Sequence, residues 1–251
     1  MMKKTGALIL NNWFLYLAGF LLLFWMKYSY SRATVDDLKW ILSPTARWVR
    51  ILSSIPFEYE SRVGFVNHDY HFIIASSCSG VQFMMITTAT LYFSFVHRMK
   101  SRFKGLGWLL LSYLGAYLYT VFVNGIRIVV SILLPLFFNQ YHPAFLQVPP
   151  ERLHTMIGII IYFTALLIIY YAFGSIWSKK VPQLAVPMFW YLLISLAIPF
   201  LNRAYRHQPA NFSGYAVMII TTSVIMICLF HLLRSAKNRL QILLNDKTQI
   251  K

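Results

Sequence analysis

Apolar residues in this chain fall into long tracts separated by short polar stretches, a pattern of membrane-spanning helices and not of a soluble core. A spanning helix needs about 20 mostly apolar residues. Six segments meet that need: 6–26, 79–96, 106–123, 155–173, 184–201 and 214–233. Between 124 and 149 the pattern is ambiguous, because the apolar run 128–138 is too short for an ordinary span. An interfacial or re-entrant helix fits there, as does a pair of shorter spans.

Two other patterns occupy the segment between the first and second spans. Leu38, Ile41, Leu42, Val49 and Leu52 recur at near-helical spacing, with Asp36, Asp37, Lys39, Arg47 and Arg50 on the other side. This predicts an amphipathic helix lying on the outer membrane surface. After Pro56, the residues Phe57, Tyr59, Val63, Phe65, Tyr70, Phe72 and Ile74 alternate with polar ones, and Asn67-His68-Asp69 separates two arms. That alternation predicts an extracytoplasmic β-hairpin leading the chain into the second span.

Composition agrees with the hydropathy pattern. Of 251 residues, 58% are hydrophobic and only 12% charged, which excludes an ordinary soluble domain. The expected fold is an all-α polytopic membrane protein of about six transmembrane helices, with interfacial helices and the small hairpin. Without repeats or low-complexity linkers it reads as a single domain over 1–251, ending in a short cytoplasmic tail from about 234. The first apolar tract follows Lys3-Lys4 as a signal peptide would, but its length, its Trp and Phe content and the lack of a small-residue cleavage site predict a retained anchor.

A formal charge of +16 raises the question of nucleic acid. The basic residues are scattered between apolar segments, and no soluble basic domain presents them, so no nucleic-acid partner is expected. They serve better as topology signals. Arg98, Lys100, Arg102 and Lys104 share one short loop, Lys179-Lys180 another, and Arg234, Lys237 and Arg239 follow the last span. With Lys3-Lys4 these are predicted to be cytoplasmic, which puts both termini inside. The opposite loops hold nearly all the acids: Asp36, Asp37, Glu58, Glu60, Asp69 and Glu151.

Candidate chemistry sits at the outer edges of the spans. Cys78, in Ser76-Ser77-Cys78-Ser79-Gly80, opens the second one. A helix N-terminus or a nearby cation stabilises a thiolate. The backbone N–H groups of Ser79, Gly80 and Val81 are expected there as open first-turn donors able to hold an oxyanion. Arg127 lies inside a long apolar tract, where an arginine costs about 2.5–3.5 kcal/mol on insertion scales, so a polar cavity or the interface must receive it. Asn124 falls on the same helical face and can orient it. His154 opens the fourth span and, with its pKa near neutrality, is a natural base; Glu151 is a further candidate to orient it.

Bland readings take the remaining groups. Two cysteines imply neither a disulfide framework nor a metal cluster, and Cys228 is an apolar filler. Arg152 and Arg203 snorkel to lipid phosphate, and His97, His142, His207 and His231 are incidental. His68 and His71 stay unassigned.

Taken in order, Ser77-Cys78-Ser79-Gly80 opening a span, Asn124-x-x-Arg127 in the next apolar tract and His154 opening a later one resemble the exosortase and archaeosortase family of membrane cysteine transpeptidases. The resemblance covers the middle third of the chain. It implies Cys78 as nucleophile, Arg127 as electrostatic stabiliser and His154 as acid/base, with Asn124, Ser79 and Gly80 in support. It implies a multi-pass protein of the bacterial inner membrane with an outward-facing site. The implied partner is an exported protein whose C-terminal sorting signal carries a short motif, often Pro-Glu-Pro, then a hydrophobic helix and a basic cluster. Such a helix would lie in the lipid beside the enzyme. No metal or organic cofactor is implied. The rival reading is a non-catalytic transporter or lipid-binding protein in which Arg127 holds an anionic group.

Overall fold

A computed structural model describes residues 13–99, 101–141, 150–177, 184–205 and 212–249. Helix α1 (Trp13–Arg32) is followed by α2 (Lys39–Ser53), then strands β1 (Glu58–Glu60), β2 (Gly64–Asn67) and β3 (Phe72–Ile74). A 3₁₀ turn over Ser76–Cys78 leads into α3 (Val81–Phe95), and a second over Val96–Arg98 follows it. Next come α4 (Arg102–Tyr141) and α5 (Pro150–Trp177). Helix α6 (Ala185–Leu192) passes through a π-turn, Leu193–Ala197, into α7 (Ile198–Tyr205); α8 (Phe212–Gln249) is last.

Among the described residues, four helical segments are long and apolar enough to cross a membrane: Ser76–Arg98, Arg102–Phe137, Arg152–Ile176 and Phe212–Phe230. Ala185–Leu201 is a shorter apolar helix, and α1 carries the part of the first expected span that is described. Lys3-Lys4, Lys100 and Lys179-Lys180 lie outside the described residues. The polar tail expected from about 234 continues the α8 helix to Gln249.

Helix α3 is the hub. Twelve of its fifteen residues are buried, which explains why it has no polar face: a helix apolar all round must be enclosed all round. α1, α4, α5 and α6 pack about it. The Tyr92 hydroxyl donates to the Leu15 carbonyl of α1 at 2.7 Å. From α4, the Tyr119 hydroxyl donates to Ala165 of α5 at 2.8 Å. The outward side chains of α1 and α8, such as Phe24, Trp25, Val217 and Ile225, are exposed and apolar, as lipid-facing surfaces are.

Three sequence expectations change in detail. The amphipathic helix exists as α2, but its apolar face is not laid on lipid: Ile41, Leu42, Ala46 and Val49 are buried, and α2 packs along α4. The Trp48 indole N–H donates to the Phe122 carbonyl at 3.2 Å, and a Cβ at Gly125 would come within 2.3 Å of the same ring. Glycine is therefore required where these two helices touch. The ambiguous stretch after Val123 is no break, since α4 runs continuously through Asn124, Arg127 and Pro135 for 40 residues.

The β-arm has three antiparallel strands, β1-β2-β3, with Tyr59 opposite Phe65 and Val66 opposite Ile73. The first expected arm folds on itself at Ser61-Arg62-Val63, where Arg62 and Gly64 take positive φ. Asn67 caps the second turn: its Oδ1 accepts from the Tyr70 N–H at 2.7 Å.

Candidate active site

The sheet delivers Cys78. Ile74 at the end of β3 is fully buried, so the strand is anchored where the chain turns into the 3₁₀ segment. Tyr30 of α1 donates to the Ser76 carbonyl at 3.3 Å. Gly80 then takes the left-handed conformation, φ +76°, that lets α3 start. A Cβ there would lie 2.9 Å from Thr120 and 3.2 Å from the Asn124 amide. The thiol thus precedes the first turn of α3 by a tight bend, instead of sitting on its open N-terminus. The Ser79 N–H, expected as an open donor, is already bonded to the Ser76 carbonyl at 3.1 Å, and the Val81 N–H meets Ser79 Oγ at 3.5 Å.

Helix α4 supplies Asn124 and Arg127, one turn apart on the face toward α3 and α5. The Asn124 Nδ2 donates to the Cys78 carbonyl at 2.7 Å. Its Oδ1 accepts from Arg127 Nη1 at 3.1 Å and from the Tyr162 hydroxyl at 2.7 Å. Because a guanidinium only donates and a carbonyl only accepts, this network fixes which way the amide points. Arg127 Nη1 also donates to the Tyr162 hydroxyl, at 3.0 Å. At 1.5 Å per residue α4 carries Arg127 about 37 Å from Arg102, a full bilayer away from the basic loop. The arginine is buried at 5% exposure, in a polar pocket of the protein's own making.

Helix α5 closes the site. The His154 Nε2 lies 3.7 Å from Cys78 Sγ and in close contact with Arg127 Nη2. Arg127 Nη2 in turn reaches Cys78 Sγ at 4.0 Å. The guanidinium has no acceptor, so the imidazole nitrogen facing it carries the lone pair. Phe72 of β3 stands over the imidazole with ring centroids 6.0 Å apart. One turn and two turns below His154 come Gly158 and Tyr162. A Cβ at Gly158 would sit 3.3 Å from Arg127 Nε. Tyr162 stacks on Phe83 of α3 at 4.5 Å, nearly parallel. Sulfur, guanidinium and imidazole thus meet at one end of the bundle.

A family model described as transmembrane exosortase matches residues 6–171, more than half of the chain. The chain belongs to the transmembrane exosortase family. Searches of curated proteins and of solved structures found no match. The matched residues include Cys78, Asn124, Arg127 and His154, and stop within α5; α6, α7 and α8 lie beyond them.

Tyr162 and Gly158 join the site although the sequence reading did not single them out. Their signal was a four-residue period from His154, which puts 154, 158 and 162 on one helical face. Glu151, considered as an orienting group, falls in the first turn of α5, and the structure describes its backbone alone. Among the described residues no group of three or more His, Cys, Asp or Glu is placed to hold a metal.

Proposed function

We propose that this chain is a membrane cysteine transpeptidase that cleaves the C-terminal sorting signal of exported, membrane-tethered proteins through a thioester on Cys78. The observation that carries the reading is the contact of Cys78 Sγ with both His154 Nε2 and Arg127 Nη2 at one end of the spans. In the proposed reaction the thiol proton passes to His154 Nε2 while the guanidinium stabilises the thiolate. Sγ attacks the peptide carbonyl carbon, and negative charge gathers on its oxygen beside Arg127. The C–N bond then breaks, and the imidazolium gives its proton to the departing amine. The upstream product stays on Cys78 as a thioester. An amine or water, deprotonated by His154, attacks that thioester and releases the thiolate. Asn124 and Tyr162 are positioning residues that hold the guanidinium at its angle.

Topology supports an outward-facing site. Twenty residues separate Cys78 from Arg98, and at 1.5 Å each they span about 30 Å, one bilayer core. With the basic loop inside, the thiol faces the periplasm or cell exterior of a bacterial inner membrane, and both termini are cytoplasmic. A substrate helix in the same bilayer would be held with its scissile bond at that level, a gain in effective concentration.

The rival use of Arg127, as a clamp for a lipid or transported anion, has less support. Its Nη1 and Nη2 atoms already face four partners within the protein, and it is buried. The test is mass spectrometry of an exported partner co-expressed with the wild type or with Cys78→Ala. The transpeptidase reading expects a new C-terminus with the wild type alone; identical termini with both would refute it. A product mass heavier by an amine, or by water alone, identifies the acceptor.

A further inference from the structure

We infer that the outer edge of β3 takes the substrate segment upstream of the scissile bond as a fourth strand, through the backbone N–H and C=O of Ile73. The inference rests on the transpeptidase reading and adds how the substrate is held. The first observation is the direction of those two groups. The sheet order β1-β2-β3 leaves β3 paired on one side only among the described residues. The Ile74 carbonyl points to that paired side, since a Cβ on Gly64 of β2 would lie 2.5 Å from it. Successive residues of an antiparallel strand turn their N–H and C=O groups to alternate sides. Ile74 opposite Phe65 and Phe72 opposite Asn67 therefore face β2, and Ile73 between them faces outward. Ile73 is 46% exposed, and none of the loop, turn or cap hydrogen bonds among the described residues reaches it.

The second observation is that the two edges of the sheet differ. β1 carries Glu58 and Glu60, charges of the kind that keep an edge from pairing with another chain. β3 is Phe72-Ile73-Ile74, with neither charge nor proline, a sequence suited to take a further strand. Its place in the fold points to the occupant. Phe72 stands over His154, and Cys78 lies four residues beyond Ile74. A peptide carbonyl in reach of Sγ therefore brings its own upstream chain alongside this strand. β3 runs into the site and on into the bilayer; a substrate whose membrane helix follows the scissile bond runs the same way, so the pairing is parallel. Two strand steps of about 3.3 Å and three 3₁₀ steps of about 2 Å put Ile73 about 13 Å from Cys78, so its partner lies roughly four residues before the scissile bond. Backbone pairing of this kind supplies affinity without reading side chains.

Ile73→Pro tests this in membranes containing the full chain, because an outward-facing edge position is where a strand tolerates proline. It removes the N–H and sets a ring in the path of the fourth strand, whereas Ile73→Ala keeps the N–H and reports what the side chain alone contributes. For each variant, conversion of a reporter fused to the sorting signal is divided by the rate at which iodoacetamide alkylates Cys78, a reaction that needs no strand pairing. The ratio for Ile73→Pro should fall about tenfold or more below that for Ile73→Ala, the scale of two neutral hydrogen bonds; damage to the site itself would lower both measurements together. Hydrogen exchange on the unaltered strand gives an independent reading. In Cys78→Ala with excess reporter, the Ile73 amide should slow about tenfold or more relative to the Phe72 amide, which faces β2. Equal ratios in the two variants, or an Ile73 amide no slower with the reporter present, overturns the edge pairing alone. Protection of Ile73 that needs no reporter and grows with enzyme concentration assigns the edge to a second copy and overturns it too. A wild type that leaves the reporter uncut overturns the transpeptidase reading and the edge pairing with it.

Discussion

Replacing Asn124 by alanine removes three hydrogen bonds that join the thiol segment, the guanidinium and Tyr162: one to the Cys78 carbonyl and two onto Oδ1. Two are neutral, worth about 0.5–1.5 kcal/mol each, and the one from Arg127 is worth about 1.5–3 kcal/mol. The Arg127–Tyr162 bond survives, so the fold should hold while the guanidinium swings. The bonds to Cys78 and Arg127 bear on the reacting atoms. Together they amount to about 2–4.5 kcal/mol, and at about 1.4 kcal/mol per factor of ten this predicts a loss of about 30- to 1,500-fold in processing rate. Asn124→Asp separates the two contributions. It keeps acceptors for Arg127 and Tyr162 but sets an oxygen against the Cys78 carbonyl at a spacing of 2.7 Å. It should therefore unfold at a higher temperature than Asn124→Ala and still process poorly. The assay is conversion of a reporter fused to the sorting signal, read alongside thermal unfolding in detergent. Near wild-type conversion by Asn124→Ala would refute the positioning role; full conversion by Asn124→Asp would refute the contribution of the Cys78 carbonyl bond.

Three other variants probe separate links. Arg127→Lys keeps the charge but lacks the planar fork, and should cost about 100-fold or more in conversion, as loss of an oxyanion donor does; an active lysine variant would mean that charge alone suffices. Gly125→Leu drives a side chain into Trp48 and should lower stability by about 1–3 kcal/mol, seen in thermal unfolding, with partial recovery on adding Trp48→Ala. Outside the spans, the Tyr59 hydroxyl donates to Asp36 and is the main cause that holds that carboxyl below its usual range. A depressed folded-state pKa stabilises above the unfolded value, near 3.9, and the stabilisation is lost as pH falls through the folded value. Amide protection in the β-arm, taken relative to the intrinsic exchange rate at each pH, should thus be steady from neutrality down to about pH 4 and fall below it, and Tyr59→Phe should remove most of that acid step.

Much of this was legible in the sequence because bilayers leave strong marks. Long apolar tracts marked the four described helices that are long and apolar enough to cross a membrane, and the polar residues most expensive to bury, Asn124 and Arg127, stood out against them. What stayed hidden depended on partners. Periodicity gave α2 an apolar face but could not say whether lipid or α4 would cover it, and a tryptophan seated on Gly125 decided that. The interruption at Asn124-Gly125 read as a possible break, since lost apolar content at the sequence level is indistinguishable from a helix whose polar groups are satisfied by neighbouring elements. Tyr162 looked like one more aromatic in a span; its hydroxyl acquires meaning only when α4 and α5 come together. The bend at Gly80 moved the thiol off the helix end, and two of the three expected backbone donors, the Ser79 and Val81 N–H groups, meet oxygens of the same segment.

The central claim is that Cys78 becomes acylated by the upstream fragment of its substrate, and hydroxylamine tests it most directly. Added to membranes containing the enzyme and a tagged exported partner, this strong nucleophile should intercept the thioester and leave a hydroxamate at the new C-terminus, detected by mass spectrometry. The wild type should yield that hydroxamate and Cys78→Ala none. Cleavage that proceeds without any hydroxamate, or a hydroxamate that persists in Cys78→Ala, would contradict it.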